Sequence, residues 1–151
     1  MSEAGYMEVN YDKFVFRVKE DYLYHQDECW VKQEENGLVT VGITDYMQKT
    51  GGDVAFVELL EADAEVNQGG EMGSMETIKT TMTLLAPVSG VIKEVNGALE
   101  DEPQQINQDP YGLGWIYKIE PADLADAKQA LMDAKTYFPL MEEKIKQEMA
   151  K

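Results

Sequence analysis

At 151 residues, with 44% hydrophobic and 28% charged side chains, the chain fits one globular domain plus an appended element, and excludes two catalytic domains, wholesale disorder or a membrane span. Twenty-nine acids against thirteen bases give a formal charge of −16, which repels phosphate backbones and anionic lipid and so argues against nucleic-acid or membrane partners. Basic protein partners are favoured, although acidity that merely keeps the chain soluble fits the composition equally well.

Residues 1–21 read as an N-terminal extension in which Phe14-Val15-Phe16-Arg17-Val18 forms a short strand or lies against the core. Glu3, Glu8, Asp12 and Glu20 are scattered through it without an apolar run, so a secretory signal is not expected. The single cysteine, Cys29, cannot form an internal disulfide. Both points make the cytoplasm the expected compartment. His25, beside Tyr24, Gln26 and Asp27, is expected to be a solvated or edge residue, and Cys29 a strand residue beside Trp30 with no basic neighbour to activate its thiol.

Residues 22–120 carry the strand signals. Cys29–Gln33 and Leu38–Ile43 flank Asn36-Gly37, a strong hairpin signal, because a type I′ turn needs positive φ at both central positions. Thr44 and Asp45 can cap a short helix through Lys49, which Gly51-Gly52 would end. Val54–Leu59 is a further strand. Gly69-Gly70, Gly73, Pro87, Gly90, Asn96-Gly97 and Pro103 then punctuate short segments at the spacing of an all-β sandwich or barrel, with Ile116–Ile119 as its last strand. Gly90 and Gly112 are expected in tight turns, and Trp30 and Trp115 in the core.

Residues 121–151 read as a C-terminal helical tail. Leu124, Ala127, Leu131, Ala134 and Phe138 recur at three- and four-residue intervals and lay one apolar stripe along a helix. Pro139 kinks that helix or starts another, in which Met141, Ile145 and Met149 serve packing.

Catalytic groups are sparse: one histidine, no Cys/His cluster for zinc, no phosphate-cradling glycine loop and no nucleophile elbow. No catalytic residue and no metal ligand is assigned. One tetrapeptide stands apart. Glu76-Thr77-Ile78-Lys79 lies between the apolar segments Met72–Met75 and Met82–Leu85, which places Lys79 near an exposed turn where a modifying enzyme can reach it.

The blocks around it resemble the H-protein family of the glycine cleavage system over about residues 22–120. The resemblance runs through Trp30-Val31, Val41–Tyr46, Gly52-Asp53 and Phe56–Leu59. It continues in Glu76-Thr77-Ile78-Lys79, where the family usually shows Glu-Ser-Val-Lys, and in Ala86–Gly90, Glu94–Asn96, Asn107–Gly112 and Gly114-Trp115. It implies a mainly β barrel-sandwich hybrid of the lipoyl/biotinyl type, with short helices and the helical tail.

It also implies lipoate, amide-linked to Lys79, with Glu76 as a recognition mark for the lipoyl-attaching enzyme. In the family the arm accepts an aminomethyl group from glycine decarboxylase (P-protein), presents it to the aminomethyltransferase (T-protein), and is reoxidised by dihydrolipoamide dehydrogenase (L-protein). Glu61, Asp63, Glu65, Glu71 and Glu76 are expected to give this side a negative field that steers basic partners.

Some positions depart from the family pattern. Glu28-Cys29-Trp30 stands where His-Glu-Trp is common, Gly51-Gly52-Asp53 replaces Leu-Gly-Asp, and Thr80–Thr83 replaces an Ala-x-Ser-Asp pattern. The N-terminal extension and the tail also exceed a minimal member. An aminomethyl carrier of glycine cleavage is therefore read beside two alternatives: an H-like lipoate-binding protein of another pathway, such as sulfur oxidation, and a lipoate-relay protein. A biotin carrier fits less well, since such domains usually show Met-Lys-Met and this chain has Ile78-Lys79-Thr80.

Overall fold

The structure, a computed structural model, describes residues 5–149. Strands β1 (Tyr6–Tyr11) and β2 (Phe14–Lys19) form an antiparallel hairpin, with Asp12 at its tip in the left-handed region (φ 56). Strands β3 (Leu23–His25), β4 (Cys29–Gln33) and β5 (Val39–Ile43) follow, then helix α1 (Asp45–Gly51) and strands β6 (Val54–Leu59), β7 (Glu65–Val66), β8 (Glu71–Thr77), β9 (Thr81–Leu85) and β10 (Gly90–Val95). After the short helices α2 (Ala98–Asp101) and α3 (Gln105–Gln108) come β11 (Tyr117–Pro121), α4 (Leu124–Ala127), a 3-10 turn, β12 (Leu131–Asp133) and α5 (Ala134–Met149).

A seven-stranded sheet in the order β12-β3-β4-β5-β11-β10-β7 faces a three-stranded sheet, β6-β8-β9. Val31, Val41, Ile43, Ile92 and Ile119 of the first meet Met72, Met75 and Leu84 of the second in one buried cluster. Tyr117 bridges the two sheets, its hydroxyl donating to the Met72 carbonyl and accepting the Leu60 N–H at 2.8 Å. The mainly β, barrel-sandwich architecture with short helices and a terminal helix is the expected one.

Strand β4 explains why a second core exists. Successive side chains on a strand point to opposite faces. Cys29 and Val31 enter the sandwich, while Trp30 points into an aromatic cluster built from Phe16 and Val18 of β2, Tyr22, Tyr24, Tyr111, and Ala134, Tyr137, Met141 and Ile145 of α5. The rings of Tyr24 and Tyr137 stack at 4.5 Å and 8°, and the Trp30 indole N–H donates to the Pro110 carbonyl at 2.9 Å. Each fully buried aromatic contributes about 2–3 kcal/mol, so this cluster holds the hairpin and α5 to the barrel. Trp115 is half-buried at its edge, with the Lys118 ammonium 5.3 Å over its ring.

Several expectations are corrected. The Asn36-Gly37 hairpin does not close with a type I′ turn: only Gly37 has positive φ (88), and the Gly37 N–H donates to the Glu34 carbonyl while the Glu34 N–H donates to the Leu38 carbonyl. Three residues separate Glu34 from Leu38, and that loop length selects a type I turn followed by a left-handed glycine. Gly90 is not in a turn; it opens β10 where a Cβ would stand 2.1 Å from the Glu120 carbonyl oxygen, so close approach of two backbones selects it. His25 is neither solvated nor at an edge. It is buried between β12 and β4, its Nδ1 accepting the Asp27 N–H at 3.1 Å.

The apolar stripe from Leu124 to Phe138 is not one helix, and Ile116–Ile119 is not the last strand. Leu131–Asp133 pairs with β3, sending Leu131 into the sandwich core and Met132 into the aromatic cluster, a period of two inside an apparent period of 3.6. The Asp133 carboxylate then accepts the Thr136 N–H at 2.8 Å and starts α5. Pro139 does not start a second helix; it lies within α5 on the exposed face with Lys135, where water can serve the carbonyl it leaves unpartnered. Met141 and Ile145 are buried as expected, and the Met149 side chain lies outside the described residues.

Candidate functional site

Lys79 sits at the tip of the β8–β9 hairpin, exposed together with Ile78 and Thr80. The tip is narrow because Thr77, which is buried, organises it. Its backbone N–H donates to the Thr80 carbonyl at 2.8 Å, and its hydroxyl oxygen accepts the N–H groups of Lys79 and Thr80, both at 3.1 Å, while donating to the Thr80 carbonyl. A short hydroxyl side chain that bonds backbone two and three residues on is a known turn former, with a mechanism.

The tip is tied to the end of α1. Thr44 caps that helix, its hydroxyl accepting the Met47 N–H at 3.2 Å, and Gly52 ends it at φ 89, as the sequence indicated. Beyond Gly52 the Asp53 carbonyl accepts the Ile78 N–H at 3.0 Å. The Lys79 Nζ donates to the Thr50 carbonyl at 3.3 Å, near the negative end of the α1 dipole. Asn107, from α3, clasps the same segment: its Oδ1 accepts the Val54 N–H at 2.9 Å, and its Nδ2 donates to the Gly52 carbonyl at 3.0 Å and the Gln48 Oε1 at 3.1 Å.

Glu76 stands on β8 between Phe56 and Thr81, whose hydroxyl donates to its carboxylate at 3.4 Å. The other acids expected around the lysine are elsewhere. Glu71 lies six residues from Thr77 along one strand, about 20 Å away, and Glu61, Asp63 and Glu65 belong to the same far end, where the Asp63 N–H donates to the Ile92 carbonyl. The local negative field is thus Glu76 alone among those five. Instead the tip presents apolar surface: Ile78 is 74% exposed and Phe56 46%.

Neither reactive-looking side chain of the sequence joins this site. Cys29 is buried, its Sγ donating to the Leu85 carbonyl at 3.3 Å, and burial pushes its thiol up. His25 lies in the other sheet. Thr50 and Asn107 were missed by sequence reasoning. Asn107 lies in the block Asn107–Gly112, but its partners are more than fifty residues away and no local pattern marks them.

Comparisons agree on one family. The model of the glycine cleavage H-protein matches residues 22–144, so the match runs past residue 120 and through most of α5. A protein of Thermococcus gammatolerans named as a probable glycine cleavage system H protein is 46% identical over 127 residues, 84% of this chain and 94% of that one. A glycine cleavage system H protein of Staphylococcus epidermidis is 44% identical over 126 residues, 83% of this chain and 98% of that one. The crystal structure of a glycine cleavage system H protein from Mycobacterium marinum superposes with a TM-score of 0.70 at 36% identity, covering 80% of this chain and 95% of that one.

Proposed function

The chain belongs to the glycine cleavage H-protein family, and from that premise we propose that Lys79 is its lipoyl-bearing lysine and Glu76 a mark read by the lipoyl-attaching enzyme. It is a lipoyl carrier protein of glycine cleavage. The observation that supports Lys79 is its position: an exposed amine at the tip of a hairpin whose two flanking strands belong to the sandwich. The tip fits an acyl group that must stay accessible, because Thr77 fixes the turn from inside and leaves the outer face open. When bound, lipoate supplies the dithiolane on which the aminomethyl group travels.

The chain's own residues then have three tasks. Thr77 and Asp53 hold the turn in one shape, so that the attaching enzyme meets a fixed backbone. Glu76 offers a carboxylate three residues before the lysine. Ile78 and Phe56 offer apolar surface beside it, of the kind that protein partners cover. The partners proposed are glycine decarboxylase, the aminomethyltransferase, dihydrolipoamide dehydrogenase and the attaching enzyme, and the cytoplasm is the compartment that suits a lone buried thiol. Among the described residues no helix is long and apolar enough to cross a membrane.

The decisive measurement is the intact mass of the chain from a lipoate-replete host. One lipoyl increment is expected, absent from Lys79→Arg; an increment that survives the substitution, or no increment at all, would overturn the assignment. Glycine-dependent reduction of the modified chain by glycine decarboxylase tests the carrier role.

A further inference from the structure

The last carbonyls of a helix have no partner within it. Were α1 to continue, the Val54 N–H would go to the Thr50 carbonyl, four residues back. It goes to the Asn107 Oδ1 instead, at 2.9 Å. The Asn107 Nδ2 takes the Gly52 carbonyl, and Gly52, at φ 89, turns the chain out of the helix. The Thr50 carbonyl is thereby left for another donor, and that donor is Lys79, whose Nζ lies 3.3 Å away. The lysine stem follows the same line: its Cγ and Cδ each lie 3.5 Å from where a Cβ on Gly52 would stand.

We propose that Asn107 is a positioning residue for the modified lysine: by taking the Val54 N–H and the Gly52 carbonyl just beyond the last bond of α1, from the Gly52 N–H to the Gln48 carbonyl, it keeps the Thr50 carbonyl as a seat for the Lys79 nitrogen, before and after acylation. The proposal rests on Lys79 being the lipoyl-bearing residue. Acylation removes the charge but leaves one N–H on Nζ, and one acceptor needs one donor. A seated nitrogen fixes the root of the arm against α1, so the sweep begins beyond the amide and not at the Cα.

The test is side-chain dynamics of the full chain labelled with 13C and 15N lysine, in its lipoylated and unmodified forms. Lys93 and Lys135, both exposed, serve as internal references. Relaxation at Lys79 Cδ is expected to show less motion than at either reference in both forms. In the lipoylated form the Nζ–H is expected to exchange about fivefold more slowly than in a free lipoyl-lysine amide, the effect of one modest hydrogen bond. Asn107→Ala should abolish both differences.

A Lys79 Cδ as mobile as Lys93 in the unsubstituted chain overturns the seat without recourse to any variant, as does an Asn107→Ala chain that folds and keeps the restriction. A chain that carries no lipoyl group refutes the assignment of Lys79 and leaves the seat to be read on its ammonium. A lipoylated chain with a mobile Lys79 refutes the seat alone.

Discussion

Glu28 and Lys144 are 116 residues apart in sequence and 2.6 Å apart in space, a carboxylate against an ammonium that joins the first strands of the barrel to the last helix. Glu28 is in the left-handed region (φ 70), which turns its side chain inward, where the hydroxyls of Thr44 and Tyr137 also donate to its Oε1. Thr44 is the cap of α1, so one buried carboxylate serves two helices.

Removing that carboxylate strands the two buried hydroxyl donors, Thr44 and Tyr137, while the Lys144 ammonium keeps the Gln26 carbonyl at 3.0 Å. Glu28→Ala is expected to cost about 3 kcal/mol, because two buried hydroxyls lose their shared acceptor at about 1–2 kcal/mol each. Lys144→Met should cost only about 1 kcal/mol, because the lysine side chain is 39% exposed and the carboxylate keeps two hydroxyl donors. Urea denaturation of both variants measures the difference, and equal losses would mean that burial does not govern this pair.

The Thr77 hydroxyl gives a second prediction. Thr77→Val keeps the shape and removes the acceptor of two turn N–H groups, at a cost of about 1–2 kcal/mol, with slower lipoyl incorporation because the tip no longer holds one conformation. Thr77→Ser keeps the hydroxyl and should be lipoylated at the parent rate, losing only about 1 kcal/mol for one buried methyl. Thermal unfolding, together with intact mass sampled over time after adding the attaching enzyme, reads both effects; a valine variant lipoylated at the parent rate would refute the second.

Two glycines should respond in opposite ways. A Cβ at Gly90 meets the Glu120 carbonyl oxygen at 2.1 Å, and neither strand can yield without opening the β10–β11 ladder, so Gly90→Ala is expected to cost about 3 kcal/mol or more. Gly97 has open space around it and a helical φ of −63 as it enters α2. Gly97→Ala should be neutral or stabilise by about 0.5 kcal/mol through the unfolded chain. Denaturant midpoints decide it; similar midpoints for the two variants would contradict the close-approach argument.

Acid should erode one surface contact in a defined direction. The Thr40 hydroxyl donates to Glu34 at 2.6 Å, and this bond, aided by Lys118 and Lys32, holds the Glu34 carboxyl below its ordinary 4.5. A depressed folded value means that the unfolded chain takes up the proton first. The contribution is therefore fully present above about pH 4.5 and is lost as pH falls through the lower folded value. Glu34→Gln should be less stable than the parent at pH 7 and lose that deficit in acid. A deficit of the same size at pH 7 and at pH 3 would rule this out.

Local chemistry was legible in the sequence wherever the cause is local. The Thr44 cap, the Gly52 stop, the Cys29–Gln33 and Val54–Leu59 strands and the exposure of Lys79 all follow from a residue and its near neighbours. Order and spacing of the blocks around Lys79 were enough to indicate the family. Only the tertiary structure decided that Leu131 and Met132 form a strand, because the open edge of β3 outweighs a helical repeat. It also separated Glu61, Asp63, Glu65 and Glu71 from Lys79, since a strand moves charges about 3.3 Å per residue whatever their nearness in sequence. The seat of Lys79 was hidden for the same reason: its parts, Thr50, Gly52 and Asn107, meet through backbone atoms that every residue carries, and a sequence does not show which carbonyl will be left without a partner.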